Sequence, residues 1–281
     1  MSVSPGWMTL EFQPMKADLP PRRYTSSLEH YWQDMFNELA AQEAEHAMSG
    51  WSVQGLRLRM QAYLKVLPQL ALRSGARVLD LGCGAGSYSR VLGEAGFEVL
   101  GVDFASRVVQ EARNRTHLGH VHYLSAEACT LPFADASFGH VLCIGLLQSL
   151  DRHEGALAEM CRVLEPEGSL CLMTLNRRSL KVRLDQWLGR QEIIMVDGRA
   201  QPRLKTYHPA DLVQSFERLG MAGLMVAPVQ IFPERWSRIH LLMKLLDHIP
   251  GVRFLTARSF LVTAVKKKDG QPEQGDVWRE P

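Results

Sequence analysis

The 281-residue chain has no stretch long and apolar enough to span a membrane, and its opening residues, MSVSPGWMTLEFQP, lack the apolar run of a secretory leader. A cytoplasmic protein is the expectation. Cysteine is sparse: Cys83, Cys129, Cys143, Cys161 and Cys171 never stand as CxxC, and no Cys/His cluster has the spacing of a zinc site. No metal centre is expected, and the cysteines, set in apolar stretches, read as reduced core residues. An excess of one charge is also missing. The 32 Lys and Arg face 30 Asp and Glu, no basic block dominates a segment, and a nucleic-acid partner has no electrostatic support. There is no internal repeat.

What is present is the composition of a soluble globular protein able to bury a core, 46% apolar and 22% charged. Residues 1–26 are Pro-rich and unpatterned and read as a mobile segment. Residues 27–48 and 53–67 have helical periodicity, broken by SGW at 49–51. From 77 onward short apolar runs alternate with amphipathic helices. The strands are RVLDL (77–81), EVLGVD (98–103), VHYLSA (121–126), HVLCIG (140–145) and SLCLMTL (169–175). The helices lie at 87–96, 106–115 and 152–163. Such alternation predicts a parallel sheet with helices on both faces. The rhythm then stops for 176–208, a length that marks a lid or binding insertion. A helix at 209–220, a strand at 224–231, a helix near 234–247 and a strand at 259–267 follow. The polar residues 268–281 read as a loose tail.

The stretch VLDLGCGAGSYSR (78–90) carries the chemistry. Gly82, Gly84 and Gly86 alternate between a strand and a helix, where glycine signals a sharp turn or close approach of a ligand. A nicotinamide dinucleotide is one candidate, but its fingerprint is G-x-G-x-x-G, and here Ser87 stands at the last position. Asp80, at the end of the first strand, would repel a pyrophosphate and suit a ligand with positive charge. S-adenosylmethionine has a sulfonium, an α-amine and no phosphate. Asp103, ending the second strand, stands where an acid accepts ribose hydroxyls in nucleoside-binding α/β folds. Phe104 follows it and is placed to pack on the adenine. Glu127 and the N–H of Ala128, after the third strand, are placed to bond the adenine ring. Each has a blander reading: Asp103 as a helix-start acid, Phe104 as core, Glu127 as a solvated loop acid.

In order and spacing, VLDLGCGAGSYS, VLGVDFA, AEACTLPFADASF and CRVLEPEGSLCL resemble the motifs of class I S-adenosylmethionine-dependent methyltransferases. The similarity covers residues 77–175, with weaker likeness to 265. It implies an α/β, Rossmann-like, mostly parallel seven-stranded sheet of order 3-2-1-4-5-7-6 with the last strand antiparallel. It further implies S-adenosyl-L-methionine as methyl donor. Asp80, Gly82, Cys83, Gly84 and Gly86 match the methionine-side loop, Asp103 the ribose acid, and Glu127 and Ala128 the adenine contacts. The carbonyl of Cys143 matches the acceptor for the ligand's amine. Three departures stand out. Gly139 replaces a frequent acid, Glu167 replaces a frequent glycine, and Gln148 and Ser149 replace a frequent Glu-His pair. The family's N/D-P-P-Y/F motif, tied to methylation of a base's exocyclic amine, is missing.

Together these readings give a single methyltransferase domain over 27–267, with cap helices at 27–70 and a substrate-side insertion at 176–208. Tyr31, Trp32, Trp51, Arg57 and Arg59 lie in the cap, where packing is the default reading for such aromatics. Arg177, Arg178, Lys181, Arg183 and Arg190 make the insertion basic. A solvated face is the default there; the sharper readings are an anionic substrate, a phosphate-bearing carrier or an acidic membrane surface. The amphipathic stretch 234–250 reads as core packing, with a cap or lipid-facing helix as its alternative. The expected reaction is methyl transfer to a small-molecule O- or C-nucleophile, mainly by positioning, with Gln148 orienting the acceptor and His208 as candidate base. The rivals are a nucleic-acid methyltransferase, a protein that binds the methyl donor without chemistry, and a dinucleotide oxidoreductase.

Overall fold

The computed structural model describes residues 27–40, 51–70, 72, 73, 75–187, 204–231 and 252–268. Seven apolar segments become strands: β1 (Arg77–Leu81), β2 (Glu98–Asp103), β3 (Val121–Ser125), β4 (Phe138–Ile144), β5 (Leu164–Leu175), β6 (Met221–Val229) and β7 (Ser259–Lys266). They form one sheet in the order β3-β2-β1-β4-β5-β7-β6. The first five pair in parallel, and β7 runs antiparallel to both β5 and β6. This is the order the sequence motifs imply.

The helices described are α1 (Ser27–Leu39), α2 (Val53–Val66), α3 (Ser87–Glu94), α4 (Ser106–Asn114), α5 (His153–Val163), α6 (Leu180–Trp187), α7 (Pro209–Arg218) and α8 (Val252–Thr256). Successive strand residues point to opposite faces, so each central strand feeds two cores. Leu79, Leu81, Val141 and Leu170 pack with Leu157 and Met160 of α5 and with Leu212 and Phe216 of α7. Val78, Leu142 and Cys171 pack on the other face with Tyr63, Leu92 and Val109, from α2, α3 and α4. His140 lies wholly inside this second core, bonded to Ser169 through Nδ1 and to the Tyr63 hydroxyl through Nε2. Burial pushes its pKa down to about 4, which keeps it neutral and structural.

Some boundaries differ from the sequence reading. β6 begins three residues before the expected strand, because Gly223, at φ 58°, takes up a register shift between Ala222 and Met225 and lets pairing resume beyond it. β5 extends back to Leu164, through Glu167 at φ 63°. The expected helix over 27–48 is described as far as Leu39. Residues 1–26, 41–50, 188–203, 232–251 and 269–281 lie outside the described residues. The readings of a mobile start, a loose tail and a helix near 234–247 fall there, as does Arg190. The two ends of the 176–208 segment meet: Asn176 and Tyr207 form a parallel bridge, and Arg177 N donates to Tyr207 O at 2.9 Å.

The α1 helix sits over the end of β2. Its Trp32, Met35 and Leu39 pack against Phe104 and Leu204. Gln33 Nε2 donates to Phe104 O at 3.2 Å, and Asn37 Oδ1 accepts from Arg107 N at 3.0 Å, in the first turn of α4. An orphan amide of one helix start is thereby satisfied from another helix. The result is a cavity roofed by α1 and α2 at the carboxyl ends of the parallel strands.

Candidate active site

At the floor of that cavity the chain turns from β1 into α3. Gly82, Gly84 and Gly86 all adopt positive φ, at 78°, 53° and 81°. Gly82 N and Cys83 N donate to Val102 O, at 2.7 and 3.1 Å, which stitches the turn to β2. Asp103 completes the stitch: Oδ2 accepts from Gly84 N at 3.1 Å and Oδ1 from Ala105 N at 3.0 Å. Burial raises the pKa of this carboxyl, while the two backbone donors act in the opposite sense.

Most of the expected site residues converge. Gly82, Cys83, Gly84, Asp103, Phe104, Glu127, Ala128 and Gln148 all line one cavity. Four others do not, each for a physical reason. Asp80 shares the face of β1 that carries Val78, so its carboxyl turns under α3, where Ser89 Oγ donates to it at 2.6 Å. It is 1% exposed, and burial pushes its pKa up to about 7. Of the two strand-end acids, Asp103 lines the cavity and Asp80 does not. Gly86 serves packing: an added Cβ would collide with the Tyr123 hydroxyl. Cys143 is wholly buried within β4, and its thiol is pushed up to about 12; Ile144 and Gly145 line the cavity in its place. His208 is the N-cap of α7, its Nδ1 accepting from Ala210 N at 3.3 Å, and it does not line the cavity. Proline at the first turn fixes that placement.

The rest of the lining comes from elements whose role was not legible. Trp32 and Phe36 enter from α1, Trp51 from the segment just before α2, and Leu146 and Leu150 from the turn after β4. Gly145, at φ 77°, lets the Trp51 indole come close, since an added Cβ would stand 2.5 Å from Trp51 Cζ2. The Arg59 guanidinium lies over that indole, 4.4 Å from the ring centroid. Gln148 is buried in a short 3₁₀ turn, Leu147–Ser149, which the segment 204–207 braces. Lys205 N donates to Gln148 O at 2.9 Å, and the Tyr207 hydroxyl donates to Leu147 O at 2.8 Å.

The polar inventory of the cavity is short. Among the described residues lining it, only Asp103, Glu127 and Arg152 carry charge. Trp32 Nε1 and the Tyr88 hydroxyl also border it, buried without a hydrogen-bond partner among the described residues. One amide of the glycine turn is already taken by Asp103, so a pyrophosphate would meet a carboxylate where it needs donors. A ligand with hydroxyls and a positive charge finds matching acceptors. Among the described residues no group of His, Cys, Asp or Glu could hold a metal ion.

The mixed sheet of this order, with a glycine turn and a strand-end acid bordering one cavity, is a Rossmann-like α/β fold. Comparison with known proteins narrows the class. Residues 79–172 match the family model described as a methyltransferase domain. The chain is 34% identical over 122 residues to a malonyl-[acyl-carrier protein] O-methyltransferase of Enterobacter lignolyticus, covering 43% of this chain and 48% of that protein. It is 37% identical over 114 residues to the ubiquinone/menaquinone biosynthesis C-methyltransferase UbiE of Erwinia tasmaniensis, covering 38% and 45%. The chain thus spans about half the length of these curated relatives. In fold it resembles a chain from the complex of the Haloferax volcanii Trm112 methyltransferase activator with a methyltransferase. That match has a TM-score of 0.62 at 18% identity and covers 83% of this chain and 98% of the other.

Proposed function

We propose that this protein transfers a methyl group from S-adenosyl-L-methionine to a small apolar acceptor through an oxygen or carbon nucleophile. The observation that carries the reading is the Asp103 carboxylate, held against the glycine turn by Gly84 and Ala105 and facing the same cavity as Glu127 and Gln148. Asp103 is the group to accept the ribose hydroxyls. Glu127 and Ala128 N are the groups for the adenine edge, and Phe104 for its face. Gly82, Cys83 and Gly84 leave backbone beside the methionine part. When bound, S-adenosylmethionine supplies a methyl group on a sulfonium, already activated for displacement.

The chain's own contribution is position. An acceptor held in line behind the methyl gains about 7–11 kcal/mol over the free encounter. Gln148 can donate a hydrogen bond to an acceptor oxygen but is not basic, and neither is Ser149. With His208 committed to a helix cap, the acceptor must be nucleophilic on its own account: an acidic phenol, an enol-like carbon or a carboxylate. The apolar wall of Trp32, Phe36 and Trp51 suits a flat, weakly polar molecule. The two curated relatives are named as a C-methyltransferase and an O-methyltransferase, so both nucleophile types stay within the proposal.

The test is incubation of the purified protein with methyl-labelled S-adenosylmethionine and fractionated small-molecule extract. Label should pass to an apolar, extractable product. Label passing to nucleic acid instead, or tight donor binding with no transfer to any fraction, would reject the reading.

A further inference from the structure

We infer that α6 is a docking face for an anionic membrane surface. This goes beyond methyl transfer and does not rest on it. Seven large apolar side chains are strongly exposed among the described residues, and three of them stand on this one eight-residue helix. Leu180 is 54% exposed, Leu184 52% and Trp187 81%. Their spacing, i, i+4 and i+7, puts all three on one stripe of the helix. Val182, 3% exposed, faces the opposite way and anchors the helix to the body. The stripe is therefore not the packing face of α6. Among the described residues it is a second, exposed apolar face of the helix.

Charge selects the occupant. From Arg177 to Trp187 the chain carries Arg177, Arg178, Lys181 and Arg183 against the single acid Asp185. Arg183 is exposed beside the apolar stripe. Arg177 is half exposed even while it meets Asp211 at 3.2 Å. An apolar stripe flanked by cations, with a tryptophan at its end, has the make-up of a helix lying in the headgroup region of an anionic bilayer. A second copy of this chain would bring the same cations to the same face, and like charges would oppose one another.

The attachment is rigid where it needs to be. Asn176, four residues before the helix begins, donates through Nδ2 to Phe254 O at 2.6 Å and to Ala257 O at 2.9 Å. Arg177 N bonds Tyr207, and the segment 204–207 carries Leu204 on the cavity wall. A membrane held by α6 would thus lie at the carboxyl end of the sheet, on the side where the cavity is apolar.

The experiment is co-sedimentation of the full chain with vesicles of phosphatidylglycerol and phosphatidylcholine, and with phosphatidylcholine alone, alongside sedimentation velocity without lipid. The protein should bind the anionic vesicles and release them at high salt. A Leu184→Ala/Trp187→Ala variant should bind at least about tenfold more weakly, and Arg183→Ser about fivefold more weakly. Both variants should keep the wild-type melting temperature and affinity for S-adenosylhomocysteine, because these residues touch neither core nor cavity. No binding to anionic vesicles, or equal binding by the double variant, overturns the inference. So does a dimer without lipid that the double variant abolishes, which would make a second copy the occupant. Neither failure bears on methyl transfer, which is read separately by donor binding.

Discussion

In one part of its lining the cavity is bounded by the turn at Gly82–Gly84, held by hydrogen bonds to Val102 and Asp103; in another, Trp32 and Phe36 reach in from α1 and Trp51 from the segment before α2, held by packing. The first wall is made of main chain and buried carboxyls. Its shape depends on dihedral angles and on two acids whose pKa values burial raises, Asp80 and Asp103. The second wall is made of replaceable side chains and contains no acid. A wall of the first kind suits a ligand that never changes, and a wall of the second kind can be recut for a new acceptor by point substitution. In the proposed function the methyl donor takes the first wall and the acceptor the second.

The largest expected difference between the walls is in their response to pH. Asp80 has a folded pKa of about 7 against an unfolded value near 4, so the folded state disfavours its ionised form. Below about pH 4 both states are protonated and the group imposes no penalty. As pH rises from 4 to 7 the unfolded chain ionises freely while the folded one resists, and stability should fall by roughly 4 kcal/mol. Asp80→Asn retains an acceptor for Ser89 and should flatten that fall, as urea melts across this range would show. A slope unchanged in the variant would mean that the acid behind the glycine turn is not the titrating group.

Next in size is Asp103→Ala. Loss of a buried charged acceptor should weaken S-adenosylhomocysteine binding by about 2–4 kcal/mol. It should also loosen the glycine turn, since Gly84 N loses its partner. Calorimetry with the folded variant measures this. Unchanged affinity would reduce Asp103 to a helix-start acid and erase the contrast between the walls.

Gln148→Ala probes the acceptor side. It should lower kcat by about tenfold, as expected for one orienting hydrogen bond, while donor affinity stays within about twofold. Equal loss of donor affinity would place Gln148 on the other wall.

The sequence revealed the first wall far better than the second, and the reason is physical. A glycine turn, a strand-end acid and their spacing are local, so Gly82, Gly84, Asp103 and Glu127 could be named from the chain alone. The direction of Asp80 could not, because it depends on which face of β1 meets α3. Pro209 announced a helix start, which His208 caps, but not that the cap would keep His208 from the cavity. Trp32 lies on a helical pattern that packing alone would explain, and Trp51 in the break between two such patterns. Their place in the cavity depends on how α1 settles on Phe104 and how Gly145 admits an indole, and neither contact leaves a mark at short range. The glycine at 145, directly after an apolar strand, was the one available hint.

The smallest expected effect lies outside both walls and serves as their control. Glu167 holds φ 63° where a glycine would be relaxed, and its ion pair with Arg73, 3.6 Å and exposed, contributes little. Glu167→Gly should raise stability by about 1 kcal/mol and leave donor and acceptor kinetics alone. A loss of stability would show that the turn is held by more than its backbone.

The division of the cavity into a donor wall and an acceptor wall is tested most directly by titration calorimetry of the purified chain with S-adenosylhomocysteine and with NAD. The account predicts one-site binding of S-adenosylhomocysteine, weakened in Asp103→Ala and intact in Gln148→Ala, with no heat from NAD. Tight NAD binding without binding of S-adenosylhomocysteine would contradict it.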